Sequence, residues 1–335
     1  MAYSRGEGEG EGEGEGEGGA SPGTGASFRG VPPGLGLRRW ALDYTPNVAT
    51  GYPDLPTEVL PNDPKFAYAL EHWDPPLRAY KAVMEFAANK GKWDPWQDTM
   101  KWEQYGMVDM TLKKLKVMWS ATSGGDQDFT KQEVERLQAL MRDERARYLP
   151  EILAQIDGAP RYFFGLLNMA TGQKPWTRAL MNYAIRAGEF IGLHYKEVNQ
   201  RPRPSTLCAG LLPPFGPPTH PALPSAHSLQ SHLMALLLLR LPGVQERYGP
   251  VPTVANLRKE DWEDQTSTLS PLLWLASRIA KNRERAGVHY RSDTVAGRQL
   301  AIEVWDLLEN DKASFTELAT LLGEAKKEWP SNKWP

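Results

Sequence analysis

Apolar residues recur at every third or fourth position through most of the chain, a spacing that predicts helices. In 177–199, Leu180, Tyr183, Ala187, Ile191 and His194 fall along one face, and this helix must stop before Pro202. The stretch Leu223 to Leu239, LPSAHSLQSHLMALLLL, predicts an apolar helix from about Ser225 to Arg240, around which the rest of the chain is organised. Ser270 as N-cap with Pro271 at the first helical position opens another helix, running to about Arg285 with Gly287 as terminator. A further helix starts at Asp293 and includes Leu300, Val304 and Leu308, and a last one spans 314–328. Earlier in the chain, 76–89, 107–121 and 129–157 mix apolar residues with Lys, Arg and Glu at helix-like spacing, and 160–172 suits a buried turn of helix. Little alternates as a strand does, and no repeat of fixed period is seen. The sum is an all-α protein of about ten helices.

Ahead of the helices, Pro46, Pro53, Pro56, Pro61, Pro64 and Pro75 predict an extended Pro-rich N-terminal arm wrapped over the helical body. Residues 1–36 are Gly-, Glu- and Pro-rich with almost nothing to bury, which predicts a disordered tail. The expected organisation is therefore that tail followed by a single helical domain over 37–335, with its chemistry in 190–300.

Composition narrows the function classes. The chain is 41% hydrophobic and 24% charged, as soluble globular proteins are. Its net charge of −2 is uneven: removing residues 1–20, with six glutamates and Arg5, leaves +3 on the remainder. That is too mild for a nucleic-acid-binding domain. Cys208 is the only cysteine, so no disulfide framework exists within one chain. The longest aliphatic run, Leu233 to Leu239, is far too short to span a bilayer, and no basic-then-apolar leader opens the sequence. A cytoplasmic protein, not integral to a membrane, is expected.

Three segments carry candidate chemistry. Lys196 to Pro204 reads KEVNQRPRP, with Arg203-Pro204 seven residues after a lysine at a helix end. Pro224-Ser225-Ala226-His227 sits at the mouth of the apolar helix, where backbone N–H groups and the helix dipole favour an anion. Arg283 to Asp293 reads RERAGVHYRSD. Each has a plainer reading alone: a solvated helix end for Lys196 and Arg203, a Ser-capped helix start with a satisfied histidine, and an N-cap for Asp293. Arg285 and Arg291 read as surface residues or supports behind the site, and His194 and His232 as structural.

Together the segments resemble the type 2 phosphatidic acid phosphatase and vanadium-dependent haloperoxidase superfamily, whose signature is K-x6-RP, then PSGH, then SR-x5-H-x3-D. All three blocks occur in order with the expected internal spacing, over residues 196–293. Two positions depart from it: Ala226 replaces the usual glycine, adding a methyl beside the backbone N–H, and Asn282 stands where serine is usual. The resemblance implies that family's helical bundle. It assigns Lys196, Arg203 and Arg283, with the Ser225 hydroxyl and the Ala226 N–H, to the oxygens of bound phosphate or vanadate. His289 becomes the apical nitrogen, as nucleophile or vanadium ligand, His227 the general acid/base, and Asp293 the residue fixing the His289 tautomer.

The same pocket serves two chemistries. His220, in Pro218-Thr219-His220-Pro221, lies seven residues before His227 and is similar to the second active-site histidine of algal bromoperoxidases. With no predicted transmembrane helix and a long helical half before the first motif, it favours a vanadium-dependent haloperoxidase using hydrogen peroxide and halide. The alternative is a soluble phosphatase of the same superfamily, needing no cofactor and hydrolysing a phosphoester through phosphohistidine at His289. A third class is a non-enzymatic helical protein that keeps the pocket as an anion-binding module. A homodimer is expected by resemblance alone.

Overall fold

The computed structural model describes residues 75–104, 107–119, 127–170, 172–259 and 270–331. The expected tail, and the expected arm except Pro75, lie outside these residues. The longer helices are α1 Pro75–Ala88, α2 Leu112–Trp119, α3 Gln127–Asp143, α4 Arg145–Leu166, α5 Pro175–Asn199, α6 Ala226–Leu238, α7 Pro271–Ala286, α8 Arg291–Asn310 and α9 Thr316–Lys327, with short helical turns between them. Of the described residues, 75% are helix and 2% strand, so the class is all-α.

Helix α6 is the axis. All of its residues are buried, the polar first half with His227, Ser228, Gln230, Ser231 and His232 as well as the aliphatic second half, and it packs against α5, α7 and α8. Helix α5 in turn takes α1 and α9 on its other sides, while α4 lies along α7. Two glycines allow the closest approaches: a Cβ at Gly297 on α8 would stand 2.4 Å from the Ser225 carbonyl oxygen, and one at Gly188 on α5 would stand 2.6 Å from Gln230 Cγ. The mouth of α6 is thereby pressed onto α8. None of the described helices is long and apolar enough to cross a membrane.

The caps of α7 follow the sequence. Ser270 Oγ accepts from Leu272 N at 3.3 Å, Pro271 opens the helix, and Gly287 closes it with φ 79°. The first N–H groups of α5 are satisfied from afar: Trp176 N and Thr177 N donate to Glu328, just past α9, at 2.9 and 2.8 Å.

Three expectations are corrected. The helix expected over 107–121 begins only at Leu112; Met107–Met110 instead pairs antiparallel with Trp102–Gln104. Asp109 there adopts φ 58°, which no α-helix accommodates, and Thr111 Oγ1 caps the helix by accepting from Lys114 N at 3.1 Å. The helix expected over 129–157 is two, divided at Glu144, and the second runs on through Pro150 and Pro160 to Leu166. Tertiary contacts make that break: Arg145 donates to the carbonyls of Arg285, Leu211 and Leu212, while Glu144 pairs with Arg285. Finally, α8 starts at Arg291 rather than Asp293. Tyr290 is its N-cap, and Asp293, three residues on, accepts from Tyr290 N at 3.0 Å.

Candidate active site

Four pieces of chain build the site: the end of α5 with Lys196, the loop that follows it, the mouth of α6, and the turn between α7 and α8. Helix α5 ends at Asn199 ahead of Pro202, and Arg201 and Arg203 then fold inward, both buried. The loop returns so that Lys196 Nζ donates to the carbonyls of Pro221 and Ala222 at 2.8 and 3.3 Å. His289 sits in the turn after Gly287, itself fully buried.

Arg203 is the hub. Its Nη1 lies 3.1 Å from His289 Nε2 and 2.9 Å from the Val288 carbonyl; its Nη2 lies 3.0 Å from His220 Nδ1, and its Nε donates to the His220 carbonyl at 2.9 Å. On the other side of the His289 ring, Nδ1 lies 3.1 Å from Asp293 Oδ2. These partners decide the tautomer. A guanidinium can only donate, so His289 Nε2 presents its lone pair; an ionised carboxylate can only accept, so the proton is on Nδ1. His220 Nδ1 faces both a donor, Arg203 Nη2 at 3.0 Å, and an acceptor, the Pro221 carbonyl at 3.3 Å.

Asp293 is ionised for identifiable reasons. Burial raises its pKa, but the Arg201 guanidinium at 2.7 Å, the His289 hydrogen bond and the Tyr290 N–H outweigh burial and bring it down to about 2. Arg201 also donates to Ser292 Oγ at 2.7 Å and to Glu133 Oε2 at 2.5 Å, and lies 3.8 Å over the Tyr290 ring. Glu133, from α3, accepts from Ser292 N at 2.8 Å and Ser292 Oγ at 2.7 Å. A buried Glu133–Arg201–Asp293–His289 chain therefore supports the histidine from behind.

The mouth of α6 joins this chain through its backbone, since Ser225 N donates to the Asp293 carbonyl at 3.1 Å. Ser225 Oγ is the N-cap acceptor for Ser228 N at 3.4 Å, so its hydroxyl hydrogen is directed elsewhere. Ala226 opens the helix and is buried.

Arg283 and His227 engage α4. Arg283 Nη2 donates to the Ile152 carbonyl at 2.9 Å, and His227 Nε2 lies 3.0 Å from the Gln155 carbonyl, which can only accept. His227 Nε2 thus carries a proton. Asn282, the departure from serine, donates to Glu151 and Gln155 at 2.9 and 2.8 Å and accepts from Arg285, locking α7 to α4. The Arg283 guanidinium lies 5.7 Å from the Phe215 ring of the covering loop.

The structure thus brings Arg203, His220, His289 and Asp293 into direct contact. Lys196 binds the loop segment immediately after His220, Ser225 meets Asp293 through its backbone, and Arg283 and His227 bind successive turns of α4. Arg285 and Arg291 are buried, not at the surface: Arg285 pairs with Glu144 and Asn282, and Arg291 with Glu284. His194 pairs with Asp94 beside Trp93 and Tyr195. Sequence reasoning missed Arg201 and Glu133. The doubled Arg-Pro of residues 201–204 was the one local signal for the first; nothing local marks the second.

Among the described residues, no group of three His, Cys, Asp or Glu side chains comes together to hold a metal ion. The residues around His289 combine an imidazole nitrogen that accepts from Arg203 with several buried cations, a set whose charge suits an oxyanion. No protein-family model matches the chain, and no curated protein matches it.

Proposed function

We propose that the protein is a vanadium-dependent haloperoxidase-type enzyme of the phosphatidic acid phosphatase type 2 and haloperoxidase superfamily, with that superfamily's helical bundle. The observation that carries this reading is the Arg203 bridge between His289 Nε2 and His220 Nδ1, with ionised Asp293 on the far nitrogen of His289. It supports the reading because a vanadate ligand needs an imidazole whose tautomer is fixed, and here the Nε2 lone pair faces the Arg203 guanidinium.

His289 Nε2 would hold vanadate, and Lys196, Arg203, Arg283, the Ser225 hydroxyl and the Ala226 N–H would hold its oxygens. Bound there, it supplies Lewis-acid activation of hydrogen peroxide without changing oxidation state. The net reaction takes two electrons from a halide ion into the O–O bond of peroxide, consumes one proton, and yields hypohalous acid and water. The protein's own residues do the rest. The three cations offset the oxyanion's charge, Asp293 keeps the His289 proton on Nδ1, and His227 moves the proton that peroxide gives up. His220, held by Arg203, would be the second imidazole for an incoming oxygen or halide.

The phosphatase reading uses the same His289 lone pair as a nucleophile. It attacks phosphorus, the ester oxygen leaves with a proton from His227, and water then cleaves phosphohistidine to release phosphate. The seating of His220 against Arg203 favours the peroxidase. Two assays on metal-free protein decide between them: bromination of a phenol reporter with peroxide and bromide, before and after orthovanadate, and p-nitrophenyl phosphate hydrolysis. Halogenation that appears only with vanadate is the expected result. Vanadate-inhibited phosphate release without halogenation overturns the proposal in favour of the phosphatase, and neither activity leaves the pocket an anion-binding module.

A further inference from the structure

Helices α6, α7 and α8 border a small space lined by His232, Ser277, Ala280, Arg291, Thr294, Val295 and Arg298. None of these residues belongs to the constellation around His289. Beside it lies Glu284, fully buried, with Lys281 Nζ at 3.1 Å and Arg291 Nη1 at 3.5 Å. Arg136, on α3, is within electrostatic reach of Glu284 and Lys281.

Three cations therefore converge on one carboxylate where uncompensated charge is costly. The ionisation behaviour agrees. Burial raises the Glu284 pKa, yet Lys281, Arg291 and Arg136 bring it below the usual carboxylate range. Lys281 is lowered by burial, and the neighbouring Arg136 and Arg291 push the same way. Arg291 is 6% exposed, and its buried Nε meets no hydrogen-bond partner. His232 adds no charge: burial pushes its pKa down to about 3, with Arg298 and Arg291 opposing protonation, while Nδ1 lies 2.7 Å from the Ser228 carbonyl.

We infer that this space binds one small monovalent anion of halide size, held by the Arg291 guanidinium and offsetting the positive excess around Glu284. The space has room for a single occupant about as large as water, which excludes the five heavy atoms of phosphate or sulfate. Ser277 and Thr294 also line it, their hydroxyls donating to the Leu273 and Tyr290 carbonyls, which leaves the Arg291 guanidinium as the donor. The inference does not rest on the enzymatic reading, because it uses none of the same side chains.

The test compares thermal unfolding of the full chain in sodium bromide, sodium chloride and sodium gluconate at equal ionic strength, for wild type, R291M and H289A. Bromide and chloride at ten times their Kd should raise the Tm of wild type by about 2–4 °C over gluconate. H289A should keep that rise and R291M should lose it. Crystals of wild type grown in bromide should show an anomalous peak in contact with the Arg291 guanidinium, a readout that survives if R291M fails to fold. Equal melting in halide and gluconate, loss of the rise in H289A, its persistence in R291M, or bromide found only beside His289 each overturns the inference.

Discussion

Asp293→Asn keeps the size of the side chain but removes its charge and swaps one acceptor for a donor. In the wild type, the carboxylate takes hydrogen bonds from Arg201, His289 Nδ1 and Tyr290 N at 2.7, 3.1 and 3.0 Å. Its pKa is brought to about 2 from an ordinary 3.8, and a fall of that size corresponds to about 2.5 kcal/mol of native-state stability. Because the folded value is the lower one, this contribution is complete above pH ~4.5 and is lost as pH falls toward 2, with about half gone by pH 3. Leaving Arg201 short of one buried carboxylate should destabilise the variant by about 3 kcal/mol at pH 7. The gap should narrow by about 1 kcal/mol between pH 7 and pH 3, since only the wild type still has this proton to gain. Urea unfolding at pH 7, 5, 4 and 3, followed by circular dichroism, measures it. The tautomer changes as well. An asparagine N–H aimed at Nδ1 moves the His289 proton to Nε2, against the Arg203 donor, so nitrogen-15 shifts of His289 should invert. Turnover in whichever reaction the protein catalyses should fall by about 10³-fold or more, the scale set by a serine-protease aspartate that fixes a histidine tautomer. A stability gap constant from pH 7 to pH 3, or a His289 proton still on Nδ1, would refute the reasoning.

Two further outcomes follow from the same geometry. Gly297→Ala forces a methyl to within 2.4 Å of the Ser225 carbonyl oxygen and 2.9 Å of Ser228 Cβ, and should cost about 2–3 kcal/mol in denaturant unfolding. Gly91→Ala, with nothing within 4 Å, should unfold like the wild type and serves as its control. Glu133→Gln weakens the Arg201 and Ser292 contacts from behind. It should cost about 3 kcal/mol while leaving the His289 proton on Nδ1, a pairing of results that the nitrogen-15 experiment separates from Asp293→Asn.

What could be read from the sequence was what chain-local rules govern. The caps of α7 are written in Ser270, Pro271 and Gly287, and the burial of α6 in its run of leucines. The three segments with Lys196, Arg203, Ser225, His227, Arg283, His289 and Asp293 stood out only together, through their resemblance to a family signature, and the fold buries every one of those residues. What was not legible depends on partners far along the chain. Glu133 lies 68 residues before Arg201 and 159 before Ser292, and on its own helix resembles any surface glutamate. The break at Glu144 is made by contacts with Arg285 and Leu211, in segments more than sixty residues away. The hairpin at 102–110 was missed because its strands, of three and four residues, are too short to alternate recognisably. Asp293 was legible as a residue near a helix start, but its place inside the first turn depends on Tyr290 capping that helix.

The measurement that bears most directly on the central claim is equilibrium binding of orthovanadate to metal-free protein, wild type against His289→Ala, with vanadium absorption spectroscopy on the bound sample. The expected result is one vanadium per chain, a nitrogen among its nearest neighbours, and loss of that nitrogen with at least a hundredfold weaker binding in the alanine variant, the scale of about 3 kcal/mol for a lost metal contact. Equal binding by the two proteins, or bound vanadium surrounded by oxygen alone in the wild type, would contradict it.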